Sequence, residues 1–90
     1  MDTSSLYTLH PEQIVMYTTK YCGDCRMAKA FLQQKDIEYL EINVEGDSQA
    51  TAFVKELNRG YVSVPTIIFP DGSMLVEPSV QELNEKFSAS

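Results

Sequence analysis

An apolar run of β-branched and aromatic residues, Ile14-Val15-Met16-Tyr17-Thr18, gives way within a few residues to a helical pattern, and the two cysteines of the chain, Cys22 and Cys25, stand at the junction. Strand, tight turn and helix are therefore expected to follow one another directly. A thiol on the first turn of a helix meets unbonded backbone amides and the positive end of the helix dipole, so its thiolate is stabilised near neutral pH. The second thiol, three residues on, lies within reach of an internal disulfide. Half of a zinc site is the competing reading. A structural zinc takes four protein ligands, whereas the chain offers two cysteines and His10. Redox-active thiols fit better, and no metal ligands are assigned.

The rest of the chain continues the alternation. Met27, Ala28, Phe31 and Leu32 recur at spacings of three and four, which predicts a helix from Cys25 to Lys35 that Asp36 ends. Leu40, Ile42 and Val44 alternate in a strand expected over Ile37 to Val44. Gly46-Asp47-Ser48 supplies a turn and an N-cap for a helix that buries Ala50, Phe53, Val54 and Leu57 and stops at Asn58-Arg59-Gly60, where glycine suits a left-handed cap. Val64 to Phe69 reads as a third strand, with Pro65 tolerated at its start. Asp71-Gly72 is expected to form a two-residue hairpin returning through Ser73 to Glu77, with Phe69, Met74 and Leu75 in the core. Ser79 and Glu82 have capping-box spacing and open a last helix with Val80, Leu83 and Phe87 inward. The order β-α-β-α-β-β-α describes an α/β domain, a four-stranded mixed sheet with helices on both faces. Residues 1–13 read as a short arm and 14–87 as the domain.

Ninety residues suffice for one modest core. The formal net charge of −6 repels nucleic acid and anionic lipid, so neither is an expected partner. No basic leader or membrane-length apolar run is present, which points to the cytoplasm. There, a close cysteine pair is more often catalytic than structural.

Cys22-x-x-Cys25 after the first strand, Val64-Pro65 before the third and Asp71-Gly72-Ser73 at the hairpin resemble the glutaredoxin branch of the thioredoxin fold over about Ile14 to Phe87. Tyr17 to Gly23, Val64-Pro65-Thr66 and Pro78-Ser79 look most like mycoredoxins and related bacterial proteins. The resemblance implies that Cys22 is the exposed attacking thiolate, Cys25 the partly buried resolving thiol, and Pro65 a cis-proline that turns the Val64 backbone toward an extended substrate. It implies substrate contacts from Lys20, Tyr21, Gly23, Asp24, Val64 and Pro65, with Ser79 and the amides behind it holding a carboxylate.

Gly23 and Asp24 replace the Pro and Tyr usual between the cysteines, Thr19 replaces a usual lysine, and Glu77-Pro78 replaces a usual Gly-Gly pair, which weighs against glutathione. Asp24 gains from the helix dipole but adds negative charge beside Cys22, so it is expected to make the couple more reducing unless Lys20, Arg26 or Lys29 compensates. The implied activity is thiol-disulfide exchange, by a monomer without a bound cofactor, on protein disulfides or mixed disulfides with mycothiol, glutathione or bacillithiol. The alternatives are a dithiol electron donor to ribonucleotide reductase or a peroxidase, reduced by a thioredoxin-reductase-like flavoenzyme, and an iron-sulfur carrier in which two copies each contribute Cys22. Cys25 tells against the carrier, because a nearby thiol closes an internal disulfide instead.

Overall fold

In the computed structural model, which describes residues 10–88, the chain runs β1 (Ile14–Thr18), α1 (Gly23–Gln34), β2 (Tyr39–Asn43), α2 (Ser48–Leu57), β3 (Thr66–Ile68), β4 (Met74–Val76) and α3 (Val80–Ser88). β1 is apolar on both faces, so it is placed where both faces are covered. The sheet order is β2-β1-β3-β4. β1 pairs with β2 in parallel, Ile14 opposite Tyr39 and Thr18 opposite Asn43, and with β3 antiparallel, Val15 opposite Ile68. β3 and β4 are antiparallel, with Ile67 opposite Leu75.

The period-two alternation of β1 divides the core. Met16 and Ile67 face Ala28, Phe31 and Leu32 of α1 and Leu83 of α3, with Phe69 completing the cluster. Val15, Tyr17 and Ile68 face Ala50 and Val54 of α2 together with Val44. Phe87 is tied to Phe31 and Phe69 at ring separations of 5.9 and 5.7 Å, which seats α3 against α1. The expected mixed sheet with helices on both faces is the observed fold. Phe69 is buried, and Met74 and Leu75 pack half-buried against the two clusters.

Several boundaries differ from the sequence reading, each for a local reason. α1 starts at Gly23, because Cys22 acts as its N-cap and accepts the Cys25 N–H. β3 is three residues long, since Pro65 has no N–H to give the ladder. The hairpin uses three residues, not two: Gly72 donates to the Phe69 carbonyl, Phe69 donates to that of Ser73, and Gly72 takes the left-handed conformation at φ 90°. β2 is confined to Tyr39–Asn43, although Val44 still donates to the Thr18 carbonyl. α2 ends with Arg59, not Gly60, as its first left-handed residue (φ 57°), while Gly60 donates back to Lys55. Val80, expected inward, is exposed on the first turn of α3, whereas Pro78 just before the helix is fully buried.

Residues 1–9 lie outside the described residues. At the end of the expected arm, Pro11 is buried and the His10 imidazole lies against the hairpin, where a Cβ on Gly72 would come 2.6 Å from its Cε1.

Candidate functional site

β1 ends at Thr18, and after four intervening residues the chain enters α1 at Gly23, so the cysteines are held at the C-terminal end of an interior strand. Cys22 and Cys25 are joined as a disulfide with their Cα atoms 5.2 Å apart. The two sulfurs occupy different environments. Cys25 lies on the inward face of α1 and is fully buried, whereas Cys22, outside the helix, is partly exposed. Cys22 Sγ accepts the Cys25 N–H at 3.1 Å. That amide belongs to the group at a helix start that has no intrahelical carbonyl.

Val64 faces the pair from the other side. Its carbonyl oxygen lies 3.8 Å from Cys22 Sγ, and the Val64-Pro65 peptide bond is cis, with Pro65 fully buried. This loop is braced from below. Thr66 Oγ1 donates to the Ser63 carbonyl at 2.6 Å, and Asn58 Nδ2 donates to Thr66 Oγ1 at 3.3 Å and to the Val54 carbonyl at 3.0 Å. The bracing satisfies buried Thr66 and couples the end of α2 to the loop that faces Cys22.

The remaining sequence-predicted residues divide between those at the pair and those apart from it. Tyr21 is 80% exposed and projects into solvent, with the Lys20 ammonium 5.5 Å from its ring centroid. The Lys20 N–H donates to the Glu45 carboxylate, which brings an acid from the β2–α2 loop to the approach to Cys22. Gly23 and Asp24 are exposed on the first turn of α1, and a Cβ at Gly23 would meet nothing within 4 Å. Ser79 forms the anticipated capping box, accepting the Glu82 N–H and donating its own N–H to Glu82, both at 3.1 Å. Its loop reaches the site indirectly, because Glu77 donates its N–H to the Pro65 carbonyl at 2.8 Å.

Lys29, a candidate to offset Asp24, is engaged elsewhere. Its ammonium lies 2.8 Å from Glu41 Oε2, which also accepts from Thr18 Oγ1 at 2.8 Å. The Lys29 bond, followed by the weaker Thr18 bond, holds the Glu41 carboxyl below its ordinary pKa against the opposing effect of burial. Sequence reasoning did not anticipate this triad, nor the one in which Lys86 of α3 binds Asp71 and Ser73 of the hairpin and covers the Phe69 ring at 4.6 Å. Hydrogen bonds from Ser73, followed by that from Lys86, depress the Asp71 pKa strongly. The register of β2 against β1, which places Glu41 opposite Met16, was the missing signal for the first. Among the described residues no group of three or more His, Cys, Asp or Glu side chains is placed to hold a metal ion, and no helix is long and apolar enough to cross a membrane.

Comparison with known proteins agrees with this geometry. A protein of Mycobacterium tuberculosis H37Rv, named provisionally as a glutaredoxin, is 40% identical over 73 residues, covering 81% of this chain and 87% of its own. Mycoredoxin 1 of Corynebacterium glutamicum is 33% identical over 76 residues, covering 84% and 94%. The crystal structure of a thioredoxin-like protein, 27% identical, superposes with a TM-score of 0.70 over 81% of this chain and 97% of that one. The Glutaredoxin family model matches residues 14–74, a span that holds the cysteine pair, the cis-proline loop and the start of the hairpin, and the chain belongs to the glutaredoxin family.

Proposed function

We propose that the protein is a thiol-disulfide oxidoreductase in which Cys22 attacks and Cys25 resolves. The carrying observation is the position of the Cys22 sulfur, partly exposed at the helix start with the Cys25 N–H directed at it from 3.1 Å. In the dithiol that amide and the helix dipole stabilise the Cys22 thiolate, while burial keeps Cys25 as the protonated partner. The thiolate attacks one sulfur of a substrate disulfide. A Cys22-substrate bond forms, the substrate bond breaks, and the departing thiolate takes a proton from solvent. Cys25 then loses its proton and attacks Cys22, releasing the second substrate thiolate and closing the internal disulfide, so two electrons pass to the substrate. Oxidised protein is reduced by the reverse exchange with a low-molecular-weight thiol.

Val64 and Pro65 flank the substrate with backbone groups, Tyr21 offers an exposed ring, and Lys20, Gly23, Asp24 and Ser79 complete the contact set of this reading. Mycothiol is the favoured co-substrate among mycothiol, glutathione and bacillithiol, supported by the mycoredoxin relative and by Glu77-Pro78 in place of the pair of glycines usual in the family. We assign residues 14–87 to the domain and 1–13 to an arm, and place the protein in the cytoplasm as a monomer. The test reacts the Cys25→Ser protein separately with oxidised glutathione, mycothiol and bacillithiol, followed by intact-protein mass spectrometry with rates. A fast and selective mycothiol adduct on Cys22 is expected. Uniformly slow adducts would refute the low-molecular-weight thiol and favour reduction by a flavoenzyme.

A further inference from the structure

Glu77 is an unusual residue for its backbone. It adopts the left-handed conformation, at φ 48°, where glycine would be unstrained and most other residues are strained. It is also exposed, and its N–H is bonded at 2.8 Å to the carbonyl of Pro65, whose neighbour Val64 presents its own carbonyl 3.8 Å from Cys22 Sγ. The Glu77 Cα is thus linked to the reacting sulfur through one hydrogen bond, the Val64-Pro65 peptide and the Val64 carbonyl contact, a path that folds back to a separation on the order of 10 Å. Residues kept in unfavourable conformations cluster at functional sites, and this one sets an exposed, charged residue one hydrogen bond from the cis-proline loop.

We infer that Glu77 is a specificity-determining residue that selects, by charge repulsion, disulfides of neutral or cationic thiols over those bearing carboxylates. The inference rests on Cys22 being the nucleophile. Asp24 on the first turn of α1 and Glu45 at the Lys20 N–H add two further exposed carboxylates around the pair, against the cations Lys20 and Arg26. The net charge of −6 gives the long-range field the same sign. A carboxylate-bearing disulfide approaching the Val64 carbonyl meets Glu77 beside the loop that is to bind it. A disulfide of a sugar-linked thiol without carboxylates meets no such opposition. The exchange step is the one already described: the Cys22 thiolate displaces one thiolate from a symmetric disulfide and retains the other half as a mixed disulfide, with no external oxidant.

The test uses full-length Cys25→Ser protein, with Cys25→Ala as the second background should serine disturb the buried site. Adduct formation is timed with three symmetric disulfides of matched size: cystamine (dication), 2-hydroxyethyl disulfide (neutral) and 3,3′-dithiodipropionate (dianion). The readout is the ratio of the cystamine rate to the dithiodipropionate rate, with the neutral compound setting the scale within each variant. Coulomb attenuation over about 10 Å with a Debye length near 10 Å predicts that Glu77→Gln lowers this ratio about threefold at ~0.1 M salt and Glu77→Lys about eightfold. Glu77→Gly, which also relieves the backbone, must match Glu77→Gln, and high salt must collapse the differences. A ratio that Glu77→Lys leaves unchanged overturns the charge role while the adducts themselves preserve Cys22 as nucleophile. Absence of any adduct on Cys22 overturns the nucleophile assignment and the inference with it.

Discussion

Replacing Gly23 by proline should stabilise the protein, although the substitution falls between the two cysteines. Gly23 is the first residue of α1, and Cys22 before it is extended, at φ −141° and ψ 106°, the conformation that a following proline requires. A side chain at position 23 meets open space. Proline at a first helical position forfeits no helix hydrogen bond, because the first amides of a helix have no carbonyl within it. The effect therefore acts mainly through the unfolded chain, which loses the freedom of its most flexible residue type. Such replacements contribute about 0.4–1 kcal/mol, and glycine as the starting residue places the expectation near 1 kcal/mol. For a domain of this size that is an increase in Tm of roughly 4–8 °C. Thermal unfolding followed by far-ultraviolet circular dichroism, with dithiothreitol present to keep both cysteines reduced, measures it. Gly23→Ala serves as a control expected to gain about half as much. A lowered Tm for Gly23→Pro beside a raised one for Gly23→Ala would show that the Gly23 N–H makes a bond that proline removes, and would refute the reasoning.

Three further substitutions probe other links. Asp24→Asn should lower the Cys22 pKa and make the couple less reducing by roughly 20 mV, the equivalent of about 1 kcal/mol for a two-electron couple, as read by equilibration with dithiothreitol buffers; an unchanged or lower potential refutes the repulsion. Glu41→Gln should cost about 0.5 kcal/mol at pH 7, a value kept small because the Lys29 pair is over a third exposed on the Glu41 side. The folded pKa of Glu41 is depressed, so its contribution is complete above the unfolded value of 4.5 and fades as pH falls through the folded one. Urea unfolding should accordingly show parent and variant converging as pH falls below the unfolded value, and a constant gap would contradict the linkage. Gly72→Ala should destabilise by about 1–2 kcal/mol through its left-handed backbone alone, with an additional loss from displacing His10. In a His10→Ala background the additional part should vanish, and an undiminished loss there would mean that the imidazole does not contact the hairpin.

The sequence was most informative where one periodicity governs many residues. Met16 and Ile67 on one face of the sheet, and Val15, Tyr17 and Ile68 on the other, follow from strand alternation, and Ala28, Phe31 and Leu32 follow from helical spacing. The cysteine pair was legible because its chemistry is set by a strand-to-helix junction. Features set by non-local approach were not. That Glu77 bonds to Pro65, that Lys29 meets Glu41 or that Lys86 crosses to Asp71 depends on the relative placement of distant elements, which no local pattern encodes. The exposure of Val80 shows a related limit: its helical phase matches Leu83 and Phe87, but it is the first residue of α3, and helical phase does not tell how far neighbouring elements cover a helix end. Arg59 and Glu77 illustrate another, since a left-handed residue is easily read only when it is glycine.

Alkylation of the fully reduced wild-type protein with substoichiometric iodoacetamide, followed by peptide mapping across pH 5 to 9, tests the division of labour between the two cysteines most directly. The geometry predicts carbamidomethylation at Cys22 many times faster than at buried Cys25, with a rate that rises through a pKa below that of a free thiol. Faster modification of Cys25, or equal reactivity of both with an ordinary thiol pKa, would contradict the assignment of Cys22 as the activated nucleophile.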